Sequence, residues 1–473
     1  MIIKSVLLNR KRYNLVNDNV DIDSNVFSAI IGINGAGKSR LLHRIIDSTI
    51  KVNNNFERKE IPNYFTNHIE VINDSKQINI YSRVNSKFSV LGDQNKNYFR
   101  HKLNSKLIAA TTSPFDKFPV ENKITSTYKH HDEDLYHYIG LRISENSYNK
   151  SNFINLLVRS FLKQGVTEIQ NRVLNLLKYQ NYYDIKFKTK FTSSELIELE
   201  NSNSSFSIIN KSPNVLDVFY KLLERRYPTL FKKVQHKSKL LDDILHSVLC
   251  CSRELEYGIS SIDNLPQDKS FMLTFLLDLG IIQIKNVCLM NNGGEPVNLS
   301  EASSGEQCVL LTILNISGVI KDNSVICIDE PEISLHPHWQ KEFMPMLMFC
   351  FKDFKHCHFI VATHSPLIVS TMKGPNCFIL NMEVTKPVLA EQYVQKSVDY
   401  QLAELFNSPG FNNEYLNRVV VSLLSSLSRN GKLDKEQRNQ SKMLLKLNNS
   451  LDDGDTVKEL IQVLKAALEK LKQ

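Results

Sequence analysis

Apolar residues in the first 50 positions follow three patterns in turn. The segment IIKSVLLN from residue 2 alternates and is β-branched, whereas VFSAIIGI from residue 26 is a continuous apolar run. These patterns predict two strands, the second of them buried. After a glycine-rich loop, Leu41, Leu42, Ile45 and Ile46 repeat at helical spacing. The order of strand, glycine-rich loop and helix predicts an α/β domain.

Later segments alternate between β and helical patterns. Strand-like runs are predicted at 68–90, 106–119, 281–299, 324–329 and 358–363. Residues from about 150 to 260 are predicted to be largely helical, as is the segment from Lys386 onward. The pattern predicts one nucleotide-binding domain made of two halves, a helical insertion and a helical tail. The predicted boundaries are 1–148 and 271–385 for the two halves, 149–270 for the insertion and 386–473 for the tail.

The composition is that of a soluble globular protein, with 42% hydrophobic and 23% charged residues. No stretch approaches the roughly 18 unbroken apolar residues that a membrane helix needs. The N-terminal segment is too soon interrupted by charge to be a signal peptide. We therefore expect a cytoplasmic protein without a membrane partner.

The net charge of +8 permits contact with nucleic acid. Lysines cluster at Lys232, Lys233, Lys237 and Lys239. Exposed helices that are merely lysine-rich are the alternative explanation.

The eight cysteines form no CxxC pair, so reduced, buried thiols are expected. A zinc site at Cys350, His356, Cys357 and His358 is disfavoured, because no second pair stands at ligand spacing. Likewise, the polar stretch around His130 and His131 predicts a solvated loop rather than a ligand cluster.

Residues 32–39, GINGAGKS, fit the phosphate-binding pattern G-x-x-x-x-G-K-S between a buried strand and a helix. Glycines let the backbone N–H groups point at phosphate oxygens, and the helix N-terminus adds its positive dipole end. Lys38 would reach the β- and γ-phosphates, and the Ser39 hydroxyl would ligate Mg²⁺. The candidate nucleotide-binding residues of this segment are Gly32, Asn34, Gly35, Ala36, Gly37, Lys38, Ser39 and the following Arg40.

The segment SVICIDEP from residue 324 is an apolar strand that ends in two carboxylates. Asp329 would hold Mg²⁺, and Glu330 would orient or deprotonate the attacking water. Alone, such a pattern also describes a strand ending on solvated acids. The P-loop upstream favours the catalytic interpretation.

Two further segments complete the set of candidate site residues. A small polar loop precedes an apolar helix and could bind an anion at the helix N-terminus, although it also reads as a helix cap. It contains Ser303, Ser304, Gly305, Glu306 and Gln307. His364 follows the strand-like run HFIVAT and could hydrogen-bond the γ-phosphate, although such a histidine is often structural.

These four elements, in this order, resemble the ABC-type ATPases. The resemblance implies a two-lobed P-loop ATPase head with a mixed sheet, ATP and Mg²⁺ as ligands, and a homodimer with composite ATP sites. Ser303 and Gly305 match the signature serine and second glycine, residues 334–337 match the D-loop, and His364 matches the switch histidine. Ala302 and Ser304 depart from the common signature. No residue clearly matches the Q-loop glutamine, which contacts Mg²⁺ in these ATPases. Thr112 or Ser113, after the strand-like run KLIAATT, is the candidate for that position. Asp116 and Lys117 in the same loop fit a structural ion pair just as well.

The long segment between Ser39 and Ser303 is similar to the soluble RecF, SMC and OLD-type branch rather than to transporter subunits. Within that branch, SPFDKFP from residue 113, YHYIGLR from 136 and SVDYQLAELF from 397 resemble the PtuA ATPases of Septu and retron-linked antiphage systems. No TOPRIM nuclease domain is recognised, and DDGD at 452–455 predicts a helix start.

The resemblance implies an ATPase subunit of an antiphage defence complex. An HNH-type nuclease is the expected partner, together with a reverse transcriptase and its DNA or RNA product. A RecF/SMC-like repair or chromosome-associated ATPase that binds DNA directly is the alternative.

Overall fold

A computed structural model of the chain describes residues 1–53, 67–73, 76–82, 89–92, 98–99, 105–120, 135–144, 147–148, 151–164, 167–189, 259–260, 273–277, 282–299, 304–333 and 335–470, with the single residues 103, 224, 270 and 301. Within these residues the strands are β1 Ile2–Leu8, β2 Lys11–Asn14, β3 Val26–Ile31, β4 Asn67–Asn73, β5 Lys76–Ser82, β6 Ser89–Gly92, β7 Tyr98–Phe99, β8 Leu107–Thr111, β9 Tyr136–Ile139, β10 Arg142–Ser144, β11 Ser147–Tyr148, β12 Tyr179–Thr189, β13 Ile259–Ser260, β14 Ile282–Asn291, β15 Pro296–Asn298, β16 Val325–Asp329, β17 His358–Ala362, β18 Cys377–Asn381 and β19 Val388–Leu389.

Ten α-helices have both ends within the described residues, and residues 273–277 are also helical. The ten helices are α1 Lys38–Asn53, α2 Ser151–Gln164, α3 Glu168–Leu176, α4 Ser304–Ser317, α5 Pro337–Cys350, α6 Pro366–Val369, α7 Val398–Glu404, α8 Glu414–Asn430, α9 Lys435–Leu447 and α10 Thr456–Lys470. The backbone contacts group the chain into two compact units, residues 1–140 with 320–473 and residues 141–319.

The first unit is built on a seven-stranded sheet with the order β19-β18-β3-β17-β16-β8-β9. Its neighbouring strands run parallel, except that β18 and β19 are antiparallel. Every residue of β3, β8, β16 and β17 is buried, as expected for continuous apolar runs in a parallel sheet. Because β3, β17 and β16 are adjacent and parallel, the loops that follow them emerge at one edge.

A second, antiparallel sheet in the same unit has the order β2-β1-β4-β5-β6-β7. Helix α1 contacts β5 and β6 of this sheet and β16 and β17 of the parallel sheet. Its buried face includes Leu41, Leu42, Ile45 and Ile46, which join one core with residues of both sheets. The helix that carries the P-loop is therefore fixed from two sides. The predicted fold class, a mixed α/β P-loop ATPase head, is confirmed.

His358 is a buried polar link between three segments of this unit. Its Nδ1 accepts the Ile3 N–H at 3.0 Å, and its Nε2 lies 2.9 Å from the Ser28 hydroxyl. That hydroxyl donates to the Leu15 carbonyl at 3.0 Å, so it accepts from Nε2–H and one neutral tautomer satisfies every bond. Burial, aided by the N-terminal ammonium, lowers the pKa of His358 to about 3.

The second unit contains α2, α3, α4 and a four-stranded sheet with the order β13-β12-β14-β15. Helix α4 packs against α2 and α3, and Phe161 and Tyr183 meet with ring centroids 4.5 Å apart. Helix α3 begins with a capping box formed by Thr167 and Gln170.

The prediction of a largely helical region from about 150 to 260 is correct for α2 and α3 but wrong for residues 179–189. These residues form the long strand β12, because Tyr183, Ile185 and Phe187 repeat with a period of two and bury one face. The remainder of the predicted insertion, including the lysine cluster at Lys232, lies mostly outside the described residues.

The C-terminal tail is helical from α7 onward and has its own apolar core, whereas Val388–Leu389 near its predicted start form the edge strand β19. Leu416, Val420 and Leu423 of α8 pack with Leu444 of α9 and Leu464 of α10. The Asn413, Asp434 and Ser397 side chains cap the helices that follow them. Helix α10 begins directly after the DDGD segment, and Asp455 accepts the Val457 N–H at 2.8 Å.

No helix in the part of the chain that the structure describes is long and apolar enough to span a bilayer. The six described cysteines are free thiols. Residues of the disfavoured zinc cluster make other contacts. The Cys357 thiol donates to the Lys321 carbonyl at 3.3 Å, and His356 Nδ1 lies 2.7 Å from the Ile22 carbonyl.

Candidate nucleotide-binding site

The P-loop joins β3 to α1, as the sequence predicts. Gly32 and Gly37 have φ values of 153° and 104°, which side chains with a Cβ rarely adopt. A Cβ on Gly32 would lie 3.2 Å from the Met382 Cβ, so the loop also needs glycine there for space. Asn34 is exposed, Ala36 is half-buried, and the Arg40 guanidinium donates to the Gly35 carbonyl at 3.3 Å.

Lys38 is buried, and its ammonium donates to the Gly32 carbonyl at 3.1 Å and contacts the His364 ring. Burial lowers the pKa of Lys38, and the charges of Glu330, Asp329 and Glu332 oppose that shift. The ammonium is thus held at the loop by a backbone carbonyl and a neutral ring. It is placed to exchange these partners for phosphate oxygens.

Asp329 ends β16 and is buried, and it accepts the Ser39 hydroxyl at 3.2 Å. Burial raises the pKa of Asp329 to about 7, against the hydrogen bond from Ser39, which lowers it. A buried carboxylate beside a hydroxyl is a costly arrangement without a cation. Because Mg²⁺ prefers oxygen ligands, this pair of side chains fits that ion.

Glu330 follows Asp329 with a φ of 50°, in the left-handed region that non-glycine residues rarely occupy. Its N–H donates to the Ala362 carbonyl of β17 at 2.9 Å, and its carbonyl accepts the Thr112 hydroxyl at 3.3 Å. Its carboxylate lies 3.9 Å from His364 Nε2 and is about one-third exposed. The strained turn therefore holds the carboxylate beside the histidine, where water has access to it.

His364 lies two residues beyond β17 and is fixed through Glu332, a residue that the sequence analysis did not single out. One Glu332 oxygen accepts the His364 backbone N–H, and the other accepts the Thr363 hydroxyl at 2.8 Å. Burial raises the pKa of Glu332, and the hydrogen bond from the His364 backbone opposes that shift. Burial also lowers the pKa of His364, and the charge of Lys38 adds to the effect. The only signal for Glu332 in the sequence was that it is a second glutamate after β16, in the segment DEPE.

The loop after β8 was expected to hold the Q-loop residue. Thr112 bonds the Glu330 carbonyl, whereas the Ser113 hydroxyl accepts the Phe115 N–H at 3.2 Å. Asp116 is buried and accepts the Tyr138 hydroxyl at 2.8 Å. Its charge raises the pKa of Asp329, so Asp116 lies close enough to influence the candidate metal ligand.

The predicted signature loop belongs to the second unit, whereas the sequence-based boundaries grouped it with the second ATPase half. Ser303 lies outside the described residues, and Ser304 and Glu306 are described only as part of α4. Gly305 is buried in the first turn of that helix. Gln307 donates through Nε2 to the Leu299 carbonyl at 2.6 Å. In the D-loop segment, Ser334 lies outside the described residues and His336 caps α5.

Comparison with known proteins gives matches to ATPases. A protein-family profile described as "AAA domain, putative AbiEii toxin, Type IV TA system" matches residues 162–370. The chain is 27% identical over 208 residues to "Retron Ec83 probable ATPase" of Escherichia coli, covering 39% of this chain and 37% of that protein. It is 24% identical over 193 residues to "Retron Vc95 probable ATPase" of Vibrio cholerae serotype O1 biovar El Tor, covering 30% of this chain and 37% of that protein. The matches thus span just over a third of each relative's length.

Among solved structures, similarity is found to "Crystal structure of the SmcHead bound to the C-winged helix domain of ScpA". The alignment has a TM-score of 0.33 and 12% identity, and covers 82% of this chain and 97% of the SMC head chain. The P-loop geometry and the similarity to probable ATPases support a nucleotide-binding ATPase in general terms.

Proposed function

We propose that this chain is the Mg²⁺-dependent, ATP-hydrolysing subunit of a cytoplasmic antiphage defence complex of the Septu and retron type. The convergence of Lys38, Ser39, Asp329, Glu330 and His364 at one sheet edge carries the catalytic part of the proposal. The defence role is supported by the two retron relatives and the AbiEii-type profile.

The residues of the site have different roles around the triphosphate. The P-loop N–H groups and Lys38 would bind the phosphates, and Ser39 and Asp329 would hold Mg²⁺. When bound, Mg²⁺ supplies positive charge that offsets the charge of the phosphate oxygens. Glu330 orients the attacking water or accepts its proton, and His364, beside Lys38, contacts the γ-phosphate.

The second half of the site is proposed to come from another copy of the chain. The signature residues from Ser303 to Gln307 of that copy would cover the γ-phosphate, so ATP binding would favour a homodimer. Hydrolysis would then release the dimer and reposition the helical insertion and the tail, which are the proposed partner-binding parts. We further propose that this cycle controls an HNH-type nuclease, held together with a reverse transcriptase and its DNA or RNA product.

The proposal is tested with Glu330→Gln. This variant keeps the P-loop and the metal ligands, so ATP affinity is expected to persist while kcat falls on the order of 100-fold, the lower range for loss of a general base. The ATP-bound dimer is expected to accumulate, as measured by light scattering after size exclusion. Lys38→Ala is the matched control, since it should lose nucleotide binding and remain unable to form the ATP-dependent dimer.

Unchanged turnover in the Glu330→Gln variant would remove Glu330 as the catalytic base. Native mass measurement of the chain expressed with its genomic neighbours tests the defence role separately. A complex with a nuclease supports it, whereas ATP-dependent binding of DNA ends by the chain alone, without such a complex, would favour the RecF/SMC-like alternative.

A further inference from the structure

The solvent face of α9 is basic along its length. Lys435, Arg438, Lys442 and Lys446 are all exposed and, at 3.6 residues per turn, fall within an arc of roughly 80°. The helix buries the opposite face through residues that point into the tail core, namely Ser441, Leu444 and Leu447. We call the four basic residues the α9 basic face. Because the face lies opposite the buried residues of the helix, its side chains are exposed to solvent.

The α9 basic face has no acidic partner among the described residues. The Arg438 Nε donates to the Leu433 carbonyl, and no ion pair involves the three lysines. Each neighbouring helix, by contrast, has one basic residue in a local ion pair. Arg418 pairs with Glu414 on α8, and Lys458 pairs with Asp453 at the start of α10.

Acidic residues are sparse in the sequence around the face. From Gln437 to Leu451 no aspartate or glutamate occurs, and the acids before this stretch, Asp434 and Glu436, lie at the helix N-terminus. Asp434 is occupied as the N-cap, where it accepts the Gln437 N–H at 2.8 Å. Four positive charges are therefore spread along about 17 Å of helix axis, and Glu436 in the first turn is the one acid on the helix itself.

We propose that the α9 basic face binds the phosphate backbone of a nucleic acid. Regularly spaced, unpaired cations on a rigid helix suit a polyanion with regularly spaced charges, and the release of its counterions drives binding. The helix is held by its own core, so little ordering of the backbone is needed on binding. The contacts would be to phosphates, which predicts binding without sequence preference.

The composition of the face disfavours an anionic membrane surface. Helices that bind membranes insert large apolar residues beside their basic residues. On α9 the large apolar residues Leu444 and Leu447 are buried in the tail core, and the partly buried Met443 and Leu445 pack against that core. Asn439, beside the face, is exposed and polar. The face thus offers charge and polar groups but no apolar side chain for insertion.

The test replaces all four residues, Lys435→Gln, Arg438→Gln, Lys442→Gln and Lys446→Gln, in the full chain. Fluorescence anisotropy measures binding of single-stranded DNA, single-stranded RNA and duplex DNA of about 30 nucleotides or base pairs, longer than one binding site. The wild type is expected to bind with a strong dependence on salt. The variant is expected to bind at least tenfold more weakly, and the slope of log affinity against log salt is expected to fall by about 3, for four lost phosphate contacts.

A matched control distinguishes the loss of this face from a general loss of positive charge. Lys321→Gln, Lys355→Gln, Lys373→Gln and Lys386→Gln remove the same charge from exposed positions outside α9, and this variant is expected to bind like the wild type. ATP turnover and far-UV circular dichroism should match the wild type in both variants, because neither set touches the nucleotide site or a buried position.

Three results would overturn the proposal. They are no nucleic-acid binding by the wild type, equal weakening in both variants, and unchanged affinity in the α9 variant. Binding to phosphatidylserine-containing vesicles but not to any nucleic acid would assign the face to membranes instead. The comparison of DNA with RNA identifies which polymer the face prefers.

Discussion

Glu332 connects two neighbouring strand ends at the level of single side chains. Its two oxygens receive a hydroxyl and a backbone N–H from the segment that leads to His364. Because His364 in turn contacts Lys38 and lies near Glu330, the position of the histidine depends on a carboxylate that need not touch ATP. We interpret Glu332 as a positioning residue for the switch histidine.

Replacing Glu332 by alanine is therefore expected to lower kcat about tenfold, equivalent to roughly 1.4 kcal/mol of barrier, while ATP affinity changes little. Thr363→Val removes one of the two hydrogen bonds and should have a smaller effect in the same direction. Steady-state kinetics with a separate binding titration distinguishes kcat from affinity. The exposed Glu391 offers a control, since Glu391→Ala should be neutral, and a loss of ATP affinity equal to the loss of kcat would contradict the positioning role.

The candidate residues could be found from sequence where one contiguous motif carries them, as in the P-loop and the strand ending at Asp329. The role of Glu332 could not, because it depends on β16 and β17 being adjacent, and adjacency is a property of sheet order. The left-handed backbone conformation of Glu330 could not be predicted from the sequence either, since glutamate gives no signal for that conformation.

Secondary-structure elements were predictable when one periodicity ran through them. The buried strands β3, β16 and β17 and the helices α1, α8 and α10 follow from apolar patterns alone. Strand β12 was not predicted, because it directly follows the amphipathic helix α3. Its residues were therefore included in the predicted helical region, although their apolar positions alternate with a period of two. Tyr183, Ile185 and Phe187 were the available signal.

Packing between elements makes stability depend on pH through His358. The folded protein binds a proton on this ring only near pH 3, whereas the unfolded chain binds it near pH 6.5. Between these values the unfolded state holds more protons, so the free energy of unfolding falls as pH is lowered. The loss from this group between pH 7 and pH 5 is about 2 kcal/mol.

Urea unfolding at the two pH values measures this loss. His358→Asn is expected to be less stable at pH 7, because the bond to Ser28 is lost, and to show a smaller further loss at pH 5. Where the variant does not fold, nuclear magnetic resonance titration of the ring in the wild type gives the same information. An ordinary histidine pKa would show that the ring is not held neutral.

The whole molecule is expected to act only as a pair, because the proposed site takes its P-loop from one copy of the chain and its signature residues from another. Lys38→Ala and Ser303→Arg should each inactivate the homodimer. A dimer with one chain of each kind retains one site with an intact P-loop and an intact signature. Random mixing gives half mixed dimers, so about a quarter of wild-type turnover should return if the two sites work independently.

Co-expression with two affinity tags allows the mixed dimer to be isolated and assayed directly. Turnover in that dimer supports a site shared between chains. No recovery in a mixed dimer of verified composition would contradict independent shared sites.

Selection can act on the C-terminal tail separately from the parallel sheet. Helices α8, α9 and α10 bury their apolar residues among themselves, and the Asn381 amide of β18 donates to the Leu405 carbonyl at the end of α7. A lineage that exchanges helices α8, α9 and α10 would therefore leave the core around the P-loop helix intact.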